Sequence, residues 1–185
     1  AARVATAIAA TINESLYLPV SATSTEAVVT LAAIHKGEDG NSIRIFQNYA
    51  GAAGGEQTPD GLMLSITAMA GGSGNPELSG AVVNMGDEPY DFIGHPDTDT
   101  ANLDTMQLVM NDTSGRWSYL KQIYGHCYTA KRGTVSELNA FGKTRNDQHH
   151  TIAGMEPDNP VTVSEYTAAY MARNAVFLRA DPARP

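Results

Sequence analysis

In the first part of the chain, the spacing of apolar residues is first that of a helix and then that of short strands. Val4, Ile8 and Ile12 recur every four residues among alanines. This spacing predicts an amphipathic helix over residues 1–15, which Pro19 prevents from continuing. A helix of this kind needs an apolar layer to cover.

Three strands are predicted to supply that layer. Runs at 27–33 and 42–48 flank the turn sequence 38–41, Glu-Asp-Gly-Asn, and form a predicted hairpin. At 62–67 apolar and polar residues alternate with period two, as in a half-buried strand. We therefore expect residues 1–70 to form a lobe of one helix on a three-stranded antiparallel sheet.

From residue 71 onward the pattern alternates between helices and strands. The predicted order is a helix after the cap Asn75-Pro76, a strand at 90–93, a helix at 99–111, a strand at 122–129, a helix after the capping box Thr134–Glu137, a strand at 150–155 and a helix at 164–178. Such alternation predicts a parallel sheet with right-handed crossovers. The predicted fold is α/β, or α+β overall: a small helix-plus-antiparallel-strand lobe, followed over residues 71–185 by a β-α-β-α-β parallel-sheet lobe with flanking helices.

Composition and charge narrow the function classes. With 42% hydrophobic and 17% charged residues and no long apolar run, the chain is expected to be soluble and globular, with no membrane partner. A net charge of −8 and a pI near 5.0 disfavour a nucleic-acid surface. The single cysteine, Cys127, excludes an intramolecular disulfide and a multi-cysteine zinc site, and we expect it in the core. Because the chain starts without methionine and ends after a helical pattern, we expect a fragment of a longer protein that lacks both termini.

Candidate chemistry lies first at His95, Asp97 and Asp99, directly after a predicted strand. Ligands of open α/β sheets bind beyond such strand ends, and imidazole and carboxylate groups bind divalent metals. This arrangement supports one alternative function, a metal- or nucleotide-dependent hydrolase. The simpler interpretation is that Pro96 ends the strand and that Asp97, Thr98 or Asp99 caps the next helix, without a metal.

A second polar cluster comprises Asp147, His149 and His150, which could supply a general base if Ser118 or Cys127 lay nearby. No local catalytic signature accompanies these residues, so structural histidines are the favoured interpretation.

A glycine-rich run, Gly71–Gly74, precedes a predicted helix and could cradle a phosphate. It lacks the Gly-Lys-Ser/Thr ending of a P-loop, which favours a linker. A third possibility for the chain is a module that binds a host surface or a baseplate component through the Gly- and Ala-rich loop at 50–60.

Several stretches, taken in order and spacing, resemble the tail sheath proteins of Mu-like contractile phages. These are Leu31–Ile43, Ala68–Leu78, Tyr90–Ile93, Arg116–Trp117, Gln122–His126, Ala130–Thr134, Phe141–Asp147 and the closing Asp-Pro-Ala-Arg at 181–184. The resemblance implies a structural subunit of the virion, assembled in the bacterial cytoplasm as rings stacked around the tail tube. It implies contraction that drives the tube through the host envelope, with no enzymatic activity and no cofactor.

The implied partners are other copies of the subunit, the tail tube, and baseplate and terminator components. Without its terminal arms, the fragment is expected to be mostly monomeric. A dense polymer of acidic subunits needs basic patches against acidic ones, and four residues could form such an inter-subunit patch: Lys131, Arg132, Lys143 and Arg145. The simpler view of these residues is a solvated surface.

Overall fold

Five α-helices and five β-strands form within residues 1–181, the part of the chain that the computed structural model describes. In chain order they are α1 (Ala2–Glu14), β1 (Val20–Thr25), β2 (Val28–Ala33), α2 (Ser79–Met85), β3 (Phe92–Gly94), α3 (Thr100–Met110), β4 (His126–Arg132), α4 (Val135–Gly142), β5 (His150–Met155) and α5 (Val163–Ala180). Short 3-10 turns lie at Asp39–Ser42 and Ala52–Gly54. The chain divides into two units, Ala1–Gly74 and Asn75–Pro185.

The first unit is a helix on a hairpin. Strands β1 and β2 pair antiparallel from Val20 with Ala33 to Thr25 with Val28. The side chain of Asn13 on α1 bonds both backbone groups of Ala22 at 2.8 Å, which fixes the helix to the first strand. The predicted helix over residues 1–15 is confirmed.

The packing face of α1 differs from the predicted one. Small side chains, Ala5 and Ala9, are buried, while Val4 is 42% exposed. The hairpin lies close to the helix backbone because alanines let it approach. Ile8 and Ile12 are half-buried, and together with the exposed Val4 they line a surface groove on the helix.

The predicted hairpin between 27–33 and 42–48 is wrong, since β2 pairs with the preceding residues Val20–Thr25. That strand was missed because its sequence, Val-Ser-Ala-Thr-Ser-Thr, is mostly small and polar. The turn places Glu26 at a φ of 53°, a region uncommon for residues other than glycine. Neither 42–48 nor 62–67 is a strand, so the antiparallel sheet has two strands within the described residues.

The second unit contains a parallel sheet with the strand order β3-β4-β5. Ile93 pairs with Cys127, which in turn pairs with His150. This confirms the predicted alternation of strands and helices. Strand β5 has the predicted bounds, whereas β4 begins at His126 rather than at residue 122.

Helices cover both faces of this sheet. On one face, Tyr128 packs edge-on against Tyr170 of α5, with ring centroids 5.9 Å apart. Neighbouring strand residues point to opposite faces, and Cys127 accordingly packs with Met106 and Met110 of α3. The side chain of Leu138 on α4 lies against Gly154 of β5. The core of the unit is therefore a sheet between α5 on one side and α3 and α4 on the other.

Side-chain caps fix where the longer helices of this unit begin. Thr134 and Glu137 form the predicted capping box of α4, and Thr162 forms another with Glu165 at the start of α5. The cap of α3 is Asp99, and the alternatives of Asp97 or Thr98 are wrong.

Helix α2 departs from its predicted start. Asn75 does not cap it; its side chain donates to Asp99 at 3.0 Å, and the helix begins at Ser79. Within residues 1–181, no helix combines the length and the apolar character needed to cross a lipid bilayer.

Candidate functional site

His95, Cys127 and His150 form a cluster on the sheet face that α3 covers. His95 follows β3, Cys127 lies inside β4, and His150 opens β5 opposite Cys127. One potential ligand atom from each residue lies within 4.8 Å of the other two. The two imidazole centroids are 5.1 Å apart in an edge-on arrangement. The fold thus brings together nitrogen and sulfur donors from three separate segments.

All three groups of this cluster are neutral near pH 7. Burial lowers the pKa of His95 to about 4. Burial, reinforced by repulsion from His95, His126 and Arg145, lowers the pKa of His150 to about 3. Burial also raises the pKa of the Cys127 thiol to about 12. The thiol is therefore a poor free nucleophile at neutral pH.

The imidazole nitrogens of the cluster lack ordinary partners. Among residues 1–181, no hydrogen bond of normal geometry reaches either ring nitrogen of His95 or of His150. A contact with the Asp97 backbone raises the pKa of His95, but it is outweighed by burial. Buried polar atoms without partners are uncommon in folded proteins and each one calls for an explanation.

The predicted grouping of His95 with Asp97 and Asp99 is not formed. In the described residues, the one group of three or more potential ligands is the histidine–cysteine cluster, which includes neither aspartate. Asp99 instead caps α3, because its Oδ1 accepts the Asn102 backbone N–H at 3.0 Å. Desolvation raises the pKa of Asp99, but hydrogen bonds from Asn102 and Asn75 outweigh it, and the pKa is lowered overall. His95, Asp97 and Asp99 therefore do not form the shared ligand group that the hydrolase alternative requires.

The three residues of the second predicted cluster line one small cavity, and His150 lies beside Cys127, but each side chain makes a different contact. His149 stacks on the Trp117 ring at 3.9 Å and contacts the Asp112 carboxylate at 2.7 Å. Asp147 accepts two bonds from Arg145, at 2.8 and 3.1 Å. His150 faces His95. Asp147, His149 and His150 therefore each contact a different partner.

The Gly71–Gly74 run does not border a helix start, because α2 begins at Ser79. Its Gly72 exchanges two hydrogen bonds of 2.8 Å with the Asn41 side chain, which ties the run to the first unit. This arrangement matches the linker interpretation rather than a phosphate cradle.

The four basic residues singled out in the sequence lie in different surroundings. Lys131 bonds Thr98 at 3.3 Å and stands 4.3 Å over the Phe141 ring. Arg145 lies between Asp104 and Asp147, which it meets at 2.7 and 2.8 Å. Lys143 is exposed at the end of α4.

Arg132 is engaged inside the second unit. Its guanidinium donates to backbone carbonyls of the β5–α5 connection, including Pro157 at 3.0 Å and Asn159 at 2.6 Å. Of the four residues, Lys143 is thus the one whose charge is most accessible to a neighbour.

Comparison with known proteins decides the family. Residues 71–185 match the family described as "Phage tail sheath protein central domain". The chain belongs to the phage tail sheath family. It is also 39% identical over 168 residues to the "Mu-like prophage FluMu tail sheath protein" of Haemophilus influenzae, an alignment that covers 91% of this chain and 33% of that protein. The chain therefore spans about a third of the length of this relative.

This sheath chain exposes large apolar side chains that its own described residues do not cover. Leu16, Tyr17 and Met63 in the first unit are between 93% and 95% exposed. In the second unit Tyr119 and Leu120 are 86% and 90% exposed. Such side chains are the ones that protein interfaces bury.

His150 was expected from the sequence only as a possible base for Cys127, and the structure places the two side by side; their grouping with His95 was not expected. Cys127 and His150 are 23 positions apart in numbering, and only the strand register places them opposite each other. The signal that could have found them is the occurrence of a histidine and a cysteine at inward positions of two adjacent predicted strands.

Proposed function

We propose that this chain is the folded middle part of a contractile tail sheath subunit, a structural component of a phage virion or prophage particle. The match of residues 71–185 to the sheath central domain carries the proposal. In this role the subunits assemble as rings stacked around a tail tube, with baseplate and terminator components at the ends, and contraction drives the tube through the host envelope.

The physical basis of contraction would be two packings of the same subunits that differ in free energy, so no bound nucleotide is required. Each subunit must then stay folded while its neighbours change. The second unit suits such a role, since its sheet is covered on both faces and two of its helices begin with capping boxes.

The exposed apolar side chains support a role that depends on contacts with other chains. A neighbouring subunit, or the remainder of the same protein, would cover groups such as Tyr17 and Leu120. The isolated chain, which spans about a third of its relative, is expected to stay mostly monomeric.

Electron microscopy of the full-length protein tests the proposal. At high concentration we expect rings, tubes or long sheath-like polymers, and the 185-residue chain at the same concentration should form none. A full-length protein with a normal circular dichroism spectrum that remains monomeric at every concentration would contradict the proposal. Two classes of polymer with different helical rise and diameter would further support contraction.

A further inference from the structure

We propose that His95, Cys127 and His150 bind one late first-row transition cation, for which Zn²⁺ is the probe. The three side chains contribute two imidazole nitrogens and one thiolate sulfur, and their donor atoms already lie within 4.8 Å of one another. This site is independent of the sheath role, and it lies inside the second unit.

The donor set determines the kind of cation. Zinc takes imidazole nitrogen at about 2.0–2.1 Å and thiolate sulfur at about 2.3 Å in tetrahedral sites. Donors around such an ion are separated by roughly 3.5 Å, so the observed spacing closes by about 1 Å on binding. Hard cations such as Mg²⁺ and Ca²⁺ prefer oxygen ligands, which the three residues do not provide.

The unpartnered nitrogens are the observation that points to a ligand. His95 is 5% exposed, and neither of its ring nitrogens has an ordinary hydrogen-bond partner within residues 1–181. His150 is half-buried as a residue, but both of its ring nitrogens are buried and also lack such a partner, and its ring meets that of His95 edge-on. Two neighbouring imidazoles buried without partners are unfavourable, and a cation bound between them would satisfy one nitrogen of each.

The surroundings of the three ligands are buried and largely apolar. Thr129 lies two residues after Cys127 on the same face of β4, is fully buried, and has an unpartnered hydroxyl. Met106 and Met110 pack around Cys127 from α3. An apolar shell of this kind limits the access of water to a bound cation and lowers the local dielectric constant.

A cation here would join three segments of the second unit: the end of β3, the middle of β4 and the start of β5. Because the ligands meet only in the folded sheet, binding free energy would add to folding free energy. This departs from the expectation of no metal, which concerned His95, Asp97 and Asp99, whereas Cys127 and His150 come close to His95 only in the folded sheet.

The test is to refold the 185-residue chain with one equivalent of Zn²⁺ and to measure bound metal after desalting. We expect one ion per chain and a higher melting temperature than that of the chain refolded in a chelator. Cys127→Ala and His150→Gln should each lower the affinity at least tenfold, whereas His35→Gln, which removes an exposed histidine outside the cluster, should leave it unchanged.

Cobalt provides a readout that does not depend on how well the variants fold. The unmodified chain refolded with Co²⁺ should show a thiolate-to-metal charge-transfer band, because Cys127 is its single cysteine. Absence of that band would overturn the proposal. Stoichiometric Zn²⁺ binding that His35→Gln abolishes and Cys127→Ala retains would overturn it too, since the ion would then lie on the surface.

Discussion

Asp99 shows how one side chain can be mistaken for a metal ligand. Its carboxylate accepts the Asn102 backbone N–H and bonds the side chains of Asn102 and Asn75. Asp99→Ala should therefore lower the free energy of unfolding by about 1–2 kcal/mol, in the range of lost helix caps. Asp99→Asn keeps an oxygen at the cap and should cost less. Urea denaturation of the three proteins measures both effects.

The advantage of aspartate over asparagine at this position should depend on pH. The folded state lowers the pKa of Asp99 below its ordinary value of 3.8. Stability from the ionised carboxylate is then present above that ordinary pKa and is lost as the pH falls through the lower folded value. The difference between the original chain and Asp99→Asn should therefore shrink as the pH falls below about 5. A difference that grew with acid would contradict the assignment.

Gly125 is a second residue whose identity the fold requires. A Cβ at this position would overlap the Tyr90 carbonyl oxygen, and backbone cannot move as a flexible side chain can. Gly125→Ala should cost about 2–4 kcal/mol of unfolding free energy, or displace the start of β4.

Gly80 is the matched control for that change. It lies in α2, and an added Cβ would have no other atom within 4 Å, so Gly80→Ala should be neutral or stabilising by up to about 1 kcal/mol. Thermal denaturation of both variants checks the pair, and equal losses would contradict the steric argument.

At the scale of elements, the connection between β5 and α5 depends on Arg132. Its guanidinium donates to the backbone carbonyls of Pro157, Asn159 and Val161. Removal of the Arg132 side chain would leave these carbonyls without that donor. Arg132→Ala should therefore lower the free energy of unfolding by about 2–3 kcal/mol. Lys143→Ala, the removal of an exposed charge, should change it by no more than about 0.5 kcal/mol. Chemical denaturation of both variants provides the comparison, and similar losses would contradict the internal role of Arg132.

The elements also show what the sequence can and cannot predict. Helices with local signals were predicted well, because a capping box such as Thr134–Glu137 is made by neighbouring residues. The parallel sheet followed from the alternation of helices and strands. The antiparallel pair was mispredicted, because β1 is mostly small and polar, and its position is fixed by a side chain of the preceding helix, Asn13.

The candidate site was less predictable than the fold for the same physical reason. Each member of the histidine–cysteine cluster looks ordinary in its own segment, and only strand register brings His150 opposite Cys127. Residues close in sequence, such as Asp97 and Asp99, were easier to notice and do not group with His95.

At the scale of the whole molecule, assembly of the sheath should respond to the charge at Lys143. The chain carries a net charge of −8, so packed copies repel unless basic groups meet acidic ones. In the full-length protein, Lys143→Glu should raise the concentration needed for polymer formation at low salt, and the effect should shrink at high salt. Sedimentation at both salt concentrations measures it.

Lys36→Glu is the control for net charge, because it makes the same change at an exposed residue of the first unit. Equal weakening by both variants would show that repulsion between whole subunits, rather than a contact at Lys143, limits assembly. Lys143 is the most exposed member of the basic patch expected from the sequence at Lys131, Arg132, Lys143 and Arg145, so an inter-subunit contact there predicts a larger effect of Lys143→Glu than of Lys36→Glu.

The two units should differ in their ability to fold alone. The buried apolar side chains of the first unit are small: Ala5, Ala9, Val20 and Ala22. Those of the second unit are larger and include Leu103, Met106, Met110, Tyr128 and Met155. Since burial of apolar area is the main stabilising contribution, residues 75–185 should fold without residues 1–74, which should be marginal by themselves.

Urea denaturation of residues 75–185 provides the measurement, followed by far-ultraviolet circular dichroism and by Trp117 fluorescence. The two signals should change together in one cooperative transition, because Trp117 packs against the core of the second unit. A gradual loss of both signals would contradict independent folding, and it would mean that the apolar side chains around α3 do not suffice to stabilise this sheet. The slope of unfolding free energy against urea should be smaller than that of an intact 185-residue cooperative unit, because less surface is exposed on unfolding.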